Sequence, residues 1–154
     1  MTVGLEHYTA VLVVYMMQSL NEKMDNESIR NLWLWHSIEE TEHKAVAYDM
    51  YEYLYGKGLD AYIPRIAIFS LSLTLITFMS FGFQFVLMAR DKQLANVKSW
   101  LKFGKFTLNS YSKLIPKFFS YYRMNFHPNE TDEAELVKIT KAKIGLDEQI
   151  KLLN

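Results

Sequence analysis

The stretch Glu27–Tyr55, ESIRNLWLWHSIEETEHKAVAYDMYEYLY, decides the fold. It holds neither proline nor glycine, so nothing inside it stops a helix. Asn21 to Asn26 is a polar break before it, and Asp25 or Asn26 is placed to cap its first turn. Gly56-Lys57-Gly58 follows it as a C-terminal signal. One long helix is expected from about Glu27 to Tyr55. Upstream, Thr2 to about Leu20 reads as a helix with an apolar run from Ala10 to Met17.

Downstream, Pro64 sits where a first helical turn tolerates it. No formal charge occurs from Ile66 to Ala89, and one helix or a helical hairpin is expected there. Further helix covers about Gln93 to Tyr122, interrupted near Pro116. Phe126-His127-Pro128-Asn129 reads as a loop, with His127 a turn residue. Asp132 with Glu135 resembles a capping box that opens a last amphipathic helix. The chain has no repeat and no low-complexity segment, and the fold class is all-α.

Composition excludes several functions. The 154 residues include no cysteine, which removes disulfides, thiolate zinc sites and a cysteine nucleophile. Seventeen basic residues balance seventeen acidic ones, against the basic excess of a general nucleic-acid binder. The N-terminus lacks the order of a secretory signal, and the expected location is cytoplasmic. The balance is segregated along the chain. Residues 1–60 hold ten acids and four bases, and residues 91–130 hold seven bases against Asp91 and Glu130.

Within the long helix, His36, Glu40 and His43 are spaced four and three apart. At 3.6 residues per turn they fall within an arc of about 60° on one face. Two imidazoles and a carboxylate can converge on one ion, and these donors suit iron, manganese or zinc. Glu40-Thr41-Glu42-His43 is the Glu-x-x-His step of di-iron carboxylate bundles. Glu39 lies at the edge of the arc, and Glu42 points away. Trp33, Trp35, Val46, Ala47 and Met50 suggest that this helix is largely buried, where charges need partners. The alternative is a solvated face whose glutamates pair with Lys44 or other lysines. Glu6 stands in an apolar helix and needs a cation or proton if buried; exposed, it is a first-turn glutamate favoured by the helix dipole. His7 is expected behind the ligands or at the surface.

Leu5-Glu6-His7-Tyr8-Thr9-Ala10, Trp35-His36 with Glu39 to Asp49, and Tyr121-Tyr122-Arg123 with Phe126-His127-Pro128 resemble the family named predicted metal-dependent hydrolase. The ligand order is also similar to that of ferritin-like di-iron arylamine N-oxygenases. The resemblance implies a partial ferritin-like bundle in which Glu6, His36, Glu40 and His43 are metal ligands. It implies a divalent metal, iron first with manganese or zinc as alternatives, and hydrolysis, with dinuclear iron oxygenase chemistry second. Glu39 would be the reserve ligand or general base. The family's upstream Glu-x-x-His-x-x-x-His helix is absent from this sequence. Half of a dinuclear site is therefore expected here, completed by preceding chain or by a second copy in a homo-oligomer.

The expected organisation is one domain, or a fragment of one. Its parts are a metal-ligand helix pair over 1–60, a hydrophobic helix over 61–92, a basic aromatic segment over 93–127 and a C-terminal helix over 128–154. As a helix, Ile66 to Ala89 would be about 36 Å long, enough to cross a bilayer core. Ser70, Thr74, Thr77 and Gln84 form one stripe along it that suits packing on protein. Lysines then alternate with aromatic residues from Lys98 to Arg123, a pattern that suits an anionic membrane headgroup region. These features lead to an expected small apolar or lipid-like substrate, attachment to the inner face of the membrane, and no nucleic-acid partner. The competing class is a non-catalytic membrane-associated helical protein with a degenerate half-site.

Overall fold

A computed structural model describes residues 2–146, and among these every regular element is a helix. The α-helices are α1 (Thr2–Tyr15), α2 (Glu27–His43), α3 (Val46–Tyr55), α4 (Leu59–Arg90), α5 (Val97–Ser120) and α6 (Ala134–Lys143). A π-helical turn (Met16–Leu20) and a 3-10 turn (Asn21–Lys23) close α1, and a second 3-10 turn (Pro128–Glu130) precedes α6. The all-α fold class is therefore as expected. The expected C-terminal helix is α6, and the part of that reading that falls on 147–154 lies outside the described residues.

Helix α1 is the hub. It is apolar on nearly all sides, and such a helix belongs inside. Val3, Val11 and Tyr15 meet Tyr48, Phe69, Leu114, Phe118, Tyr121 and Phe126 in one core. Val14 and Met17 meet Leu34, Ile38 and Val137 in a second core, towards α2 and α6. Gly4 lets α1 approach α4 closely. A Cβ at that position would stand 3.0 Å from the Phe69 Cα, in backbone that cannot step aside.

Asn26 caps α2, its side chain accepting from the Ile29 N–H at 3.0 Å, and Gly56 ends α3 at φ +75°, where a glycine has no Cβ penalty. The single helix expected from Glu27 to Tyr55 is interrupted at Lys44-Ala45, although both residues keep right-handed backbone. At this break the Lys44 ammonium reaches the Thr131 carbonyl at 2.6 Å and the Glu133 carboxylate. The lysine is thus committed to the segment before α6, not to the glutamates of its own helix.

The expected burial of α2 and α3 is not observed. Trp33 and Trp35 are 45% and 43% exposed, and Val46 and Met50 are exposed as well. The buried face of α2 is Leu34, Ser37, Ile38 and Thr41 instead, and that i, i+3, i+4, i+7 row leaves both tryptophans on the other side.

Pro64 and Pro116 lie inside α-helices. Gly58 starts α4 early enough that Pro64 is past the first turn, and α5 runs through Pro116 without the expected interruption. Leu114 and Phe118 on either side of Pro116 are buried in the core. Of the capping box expected at Asp132 and Glu135 only the first half is found, Asp132 Oδ1 accepting from the Ala134 N–H at 2.9 Å, and the reciprocal box is at the 3-10 turn. There His127 Nδ1 accepts from the Asn129 N–H at 3.2 Å, and Glu130 Oε1 accepts from the His127 N–H at 3.1 Å. His127 is thus the turn residue expected.

Candidate metal centre

Glu6 of α1 lies within electrostatic reach of Glu40 and His43 of α2 across the α1–α2 seam. Burial first, then the negative charge of Glu40, pushes the Glu6 carboxyl above its ordinary range, and His43 pulls it back. His36 joins through Glu40, its Nε2 standing 3.6 Å from Glu40 Oε1. Thr9, one turn along α1 from Glu6, has its hydroxyl 3.2 Å from Glu40 Oε2 as acceptor and shares that one proton with the Glu6 carbonyl at 3.0 Å and the Leu5 carbonyl at 3.2 Å. That contact joins the two helices at the cluster. Thr9 is a member of the cluster that sequence reasoning did not single out, although its i+3 relation to Glu6 was a signal for it.

The seam is brought to register by packing beneath it. Ala10, Val13 and Val14 of α1 are buried, as are Leu34, Ile38 and Thr41 of α2. The donors stand at the rim. Glu6, Glu39 and Glu40 are half-buried, whereas His36 and His43 are exposed. Among the described residues no three His, Asp or Glu side chains close around a common point. The cluster is an open face. Glu42 is exposed and accepts from the Lys141 ammonium of α6 at 2.7 Å, in a surface clamp away from the cluster.

The donor set suits a divalent cation. The negative charge of Glu40 opposes ionisation of Glu6, and a cation beside them would relieve that repulsion. Carboxylates and imidazoles together match iron, manganese or zinc in softness.

His7 is neither behind the ligands nor at the surface, the two places expected of it. It is 7% exposed, stacks on Tyr121 at 4.8 Å and meets the edges of Phe69 and Phe126. Its Nε2 is 3.3 Å from the Lys117 carbonyl. Burial lowers its pKa to about 4. It is a neutral core side chain turned away from the carboxylates of the rim.

A second polar group in the interior has no counterpart in the sequence reading. Arg65 of α4 is buried, donating from Nη1 to the Tyr48 hydroxyl and from Nη2 to the Arg123 carbonyl at 2.6 Å. Its guanidinium also lies over the rings of Tyr48, Tyr62 and Tyr121 at 5.4, 5.3 and 5.2 Å. Tyr48 donates in turn to the Phe126 carbonyl. This arrangement pins α4 to the loop after α5, and from sequence Arg65 had served only to mark one end of an uncharged stretch.

The model of a family described as predicted metal-dependent hydrolase matches residues 1–132, and the chain belongs to that family. No curated protein and no solved structure matches the chain. The family's description carries a metal cofactor and a hydrolytic reaction with it.

Proposed function

We propose that this member of the metal-dependent hydrolase family binds a divalent cation through Glu6, His36, Glu40 and His43, iron first with manganese or zinc as alternatives. The observation that carries the reading is geometric: Thr9 of α1 meets Glu40 of α2 at 3.2 Å, and His36 stands 3.6 Å from the same carboxylate, so that Glu6, one turn from Thr9, feels Glu40 and His43. Side chains that feel one another in this way share a face, and the sequence spacing alone could place only the three on α2 there. When bound, a divalent cation supplies Lewis-acid chemistry at a substrate oxygen and makes water more acidic.

The chain's own residues have distinct parts. Thr9 offers its hydroxyl to Glu40 across the seam at 3.2 Å. Glu39, half-buried beside Glu40, would take a proton as general base in this reading. The exposed imidazoles of His36 and His43 leave the face open on the solvent side, where a substrate and further donors can reach it. A second copy of this chain or additional polypeptide would supply those donors. That requirement supports a homo-oligomer, and it is also what a dinuclear iron centre with oxygenase chemistry would need. We place hydrolysis before that second reaction because of the family, and take the substrate as small and apolar or lipid-like, in the cytoplasm.

The test is metal analysis of the purified chain, followed by anaerobic titration of chelator-stripped protein with ferrous, manganous and zinc ions. One tightly held ion per chain is expected, reduced at least tenfold in affinity by His43→Ala and by Glu40→Gln. The exposure of His43 makes its substitution mild for folding. Substoichiometric metal that His43→Ala leaves unchanged would favour the non-catalytic half-site.

A further inference from the structure

Beyond the metal face, we propose that the α4–α5 hairpin docks flat on anionic lipid membrane. Helix α4 is long and apolar enough to cross a bilayer, yet only 11% of its most apolar window is buried. Its first half, through Arg65, Phe69 and Ser72, is held in the core. Beyond Ser72 it extends with Leu75, Phe78, Met79, Phe83, Phe85, Val86 and Leu87 all exposed, Phe78 by 73%. A core helix of a water-soluble domain does not show this, and so large an apolar surface marks an interaction site.

Helix α5 returns alongside α4, with Phe81 on Phe103 at 5.8 Å. Between them lies a cleft of about 320 Å³ lined by Leu73, Phe81, Phe103, Phe106 and Leu114 among others. On α5, the exposed Val97, Leu101, Leu108, Ile115 and Phe119 form a stripe about 40° wide. Lys98, Lys102 and Lys105 form the next stripe round, within about 60°. The stripe adjoins the side of α5 that faces α4. Because α4 is apolar around its exposed circumference, it presents apolar side chains on whichever side of the hairpin that stripe faces. The outcome is one apolar flank with lysines along its outer edge.

Charge decides which occupant fits. Between Asp60 and Glu130 the only acid is Asp91, against Arg65, Arg90, Arg123 and six lysines. A second copy would bring the same cations against these, whereas anionic headgroups neutralise them. Charge also decides the mode. If α4 crossed the bilayer, α5 beside it would carry Lys98, Lys102 and Lys105 into hydrocarbon, which is costly. Lying in the headgroup plane, the apolar stripe enters the acyl boundary and the lysines stay at phosphate level.

The experiment is flotation of the full chain. It is released in mild detergent and diluted into phosphatidylcholine vesicles with or without phosphatidylglycerol. Flotation with the anionic vesicles is expected, weakened as salt rises from about 0.05 M to about 0.5 M. A lysine near an anionic surface is worth about fivefold in partitioning, so Lys98→Gln/Lys102→Gln/Lys105→Gln should lose on the order of a hundredfold. Phe78→Ser/Phe83→Ser/Phe85→Ser should lose binding even at low salt. All six positions are exposed, and circular dichroism verifies that each variant is folded. Folded wild-type chain that ignores anionic vesicles, or binds neutral ones equally well, overturns the proposal. So does a discrete detergent-free dimer by light scattering that stays off vesicles.

Discussion

Tyr48→Phe removes one oxygen from the interior and leaves the shape of the side chain intact. Tyr48 is 2% exposed, donates to the Phe126 carbonyl and accepts from Arg65 Nη1. Without the hydroxyl, a buried carbonyl and a charged N–H both lose their partner. Each costs about 1–3 kcal/mol, and together roughly 2–5 kcal/mol. The guanidinium has little in reserve. Its Nε already lacks a partner, which leaves only the bond from Nη2 to Arg123. For a chain of this size the loss corresponds to a fall in melting temperature of roughly 5–15 °C. Urea unfolding followed by far-ultraviolet circular dichroism measures it. Tyr62→Phe is the internal comparison, because it removes a hydroxyl that donates to the Tyr122 carbonyl at 2.6 Å from a half-buried site, and should cost no more than about 1 kcal/mol. In an Arg65→Met background the charged donor is gone, and Tyr48→Phe should cost at least about 1 kcal/mol less than in the wild type. A cost below about 1 kcal/mol in the wild type, or the same cost in both backgrounds, would refute the role given to this network.

Other consequences are equally measurable. Gly4→Ala gains helix propensity on α1 but drives a methyl to 3.0 Å from the Phe69 Cα, so chemical denaturation should show a net loss of about 1–3 kcal/mol. Asn26→Ala removes the cap of the helix that carries His36, Glu40 and His43, and about 1 kcal/mol of unfolding free energy should go with it. His7 has a folded-state pKa of about 4, below its unfolded value of 6.5, so its neutral ring contributes fully above about pH 6.5 and that contribution is lost as pH falls towards 4. The difference in urea midpoint between the chelator-treated wild type and His7→Phe should therefore shrink from pH 7 to pH 4; a difference that stays constant would mean that the ring is not held neutral.

Much of this protein was legible in local sequence, because helix starts, stops and faces are short-range properties. Asn26 and Gly56 bound the segment that carries the donors, as their cap chemistry requires, and the three-and-four spacing of His36, Glu40 and His43 places them on one face of α2 whatever surrounds it. The uncharged run from Ile66 to Ala89 likewise specified helix without reference to any partner, and the structure has one long helix there instead of a hairpin. Burial could not be read in the same way, since it depends on which face a helix turns to its neighbours. Trp33 and Trp35 look like core residues in composition, yet α2 docks through Leu34, Ile38 and Thr41 and leaves them outside. His7 looks like a rim histidine, yet α1 is the central helix and encloses it among aromatic rings. Tertiary structure alone brought Glu6 and Thr9 from α1 to Glu40 on α2. The interruption at Lys44-Ala45 also coincides with a contact from far along the chain, the reach of Lys44 to Thr131 and Glu133. Local propensity sets what each segment can form, and long-range packing selects which side faces inward.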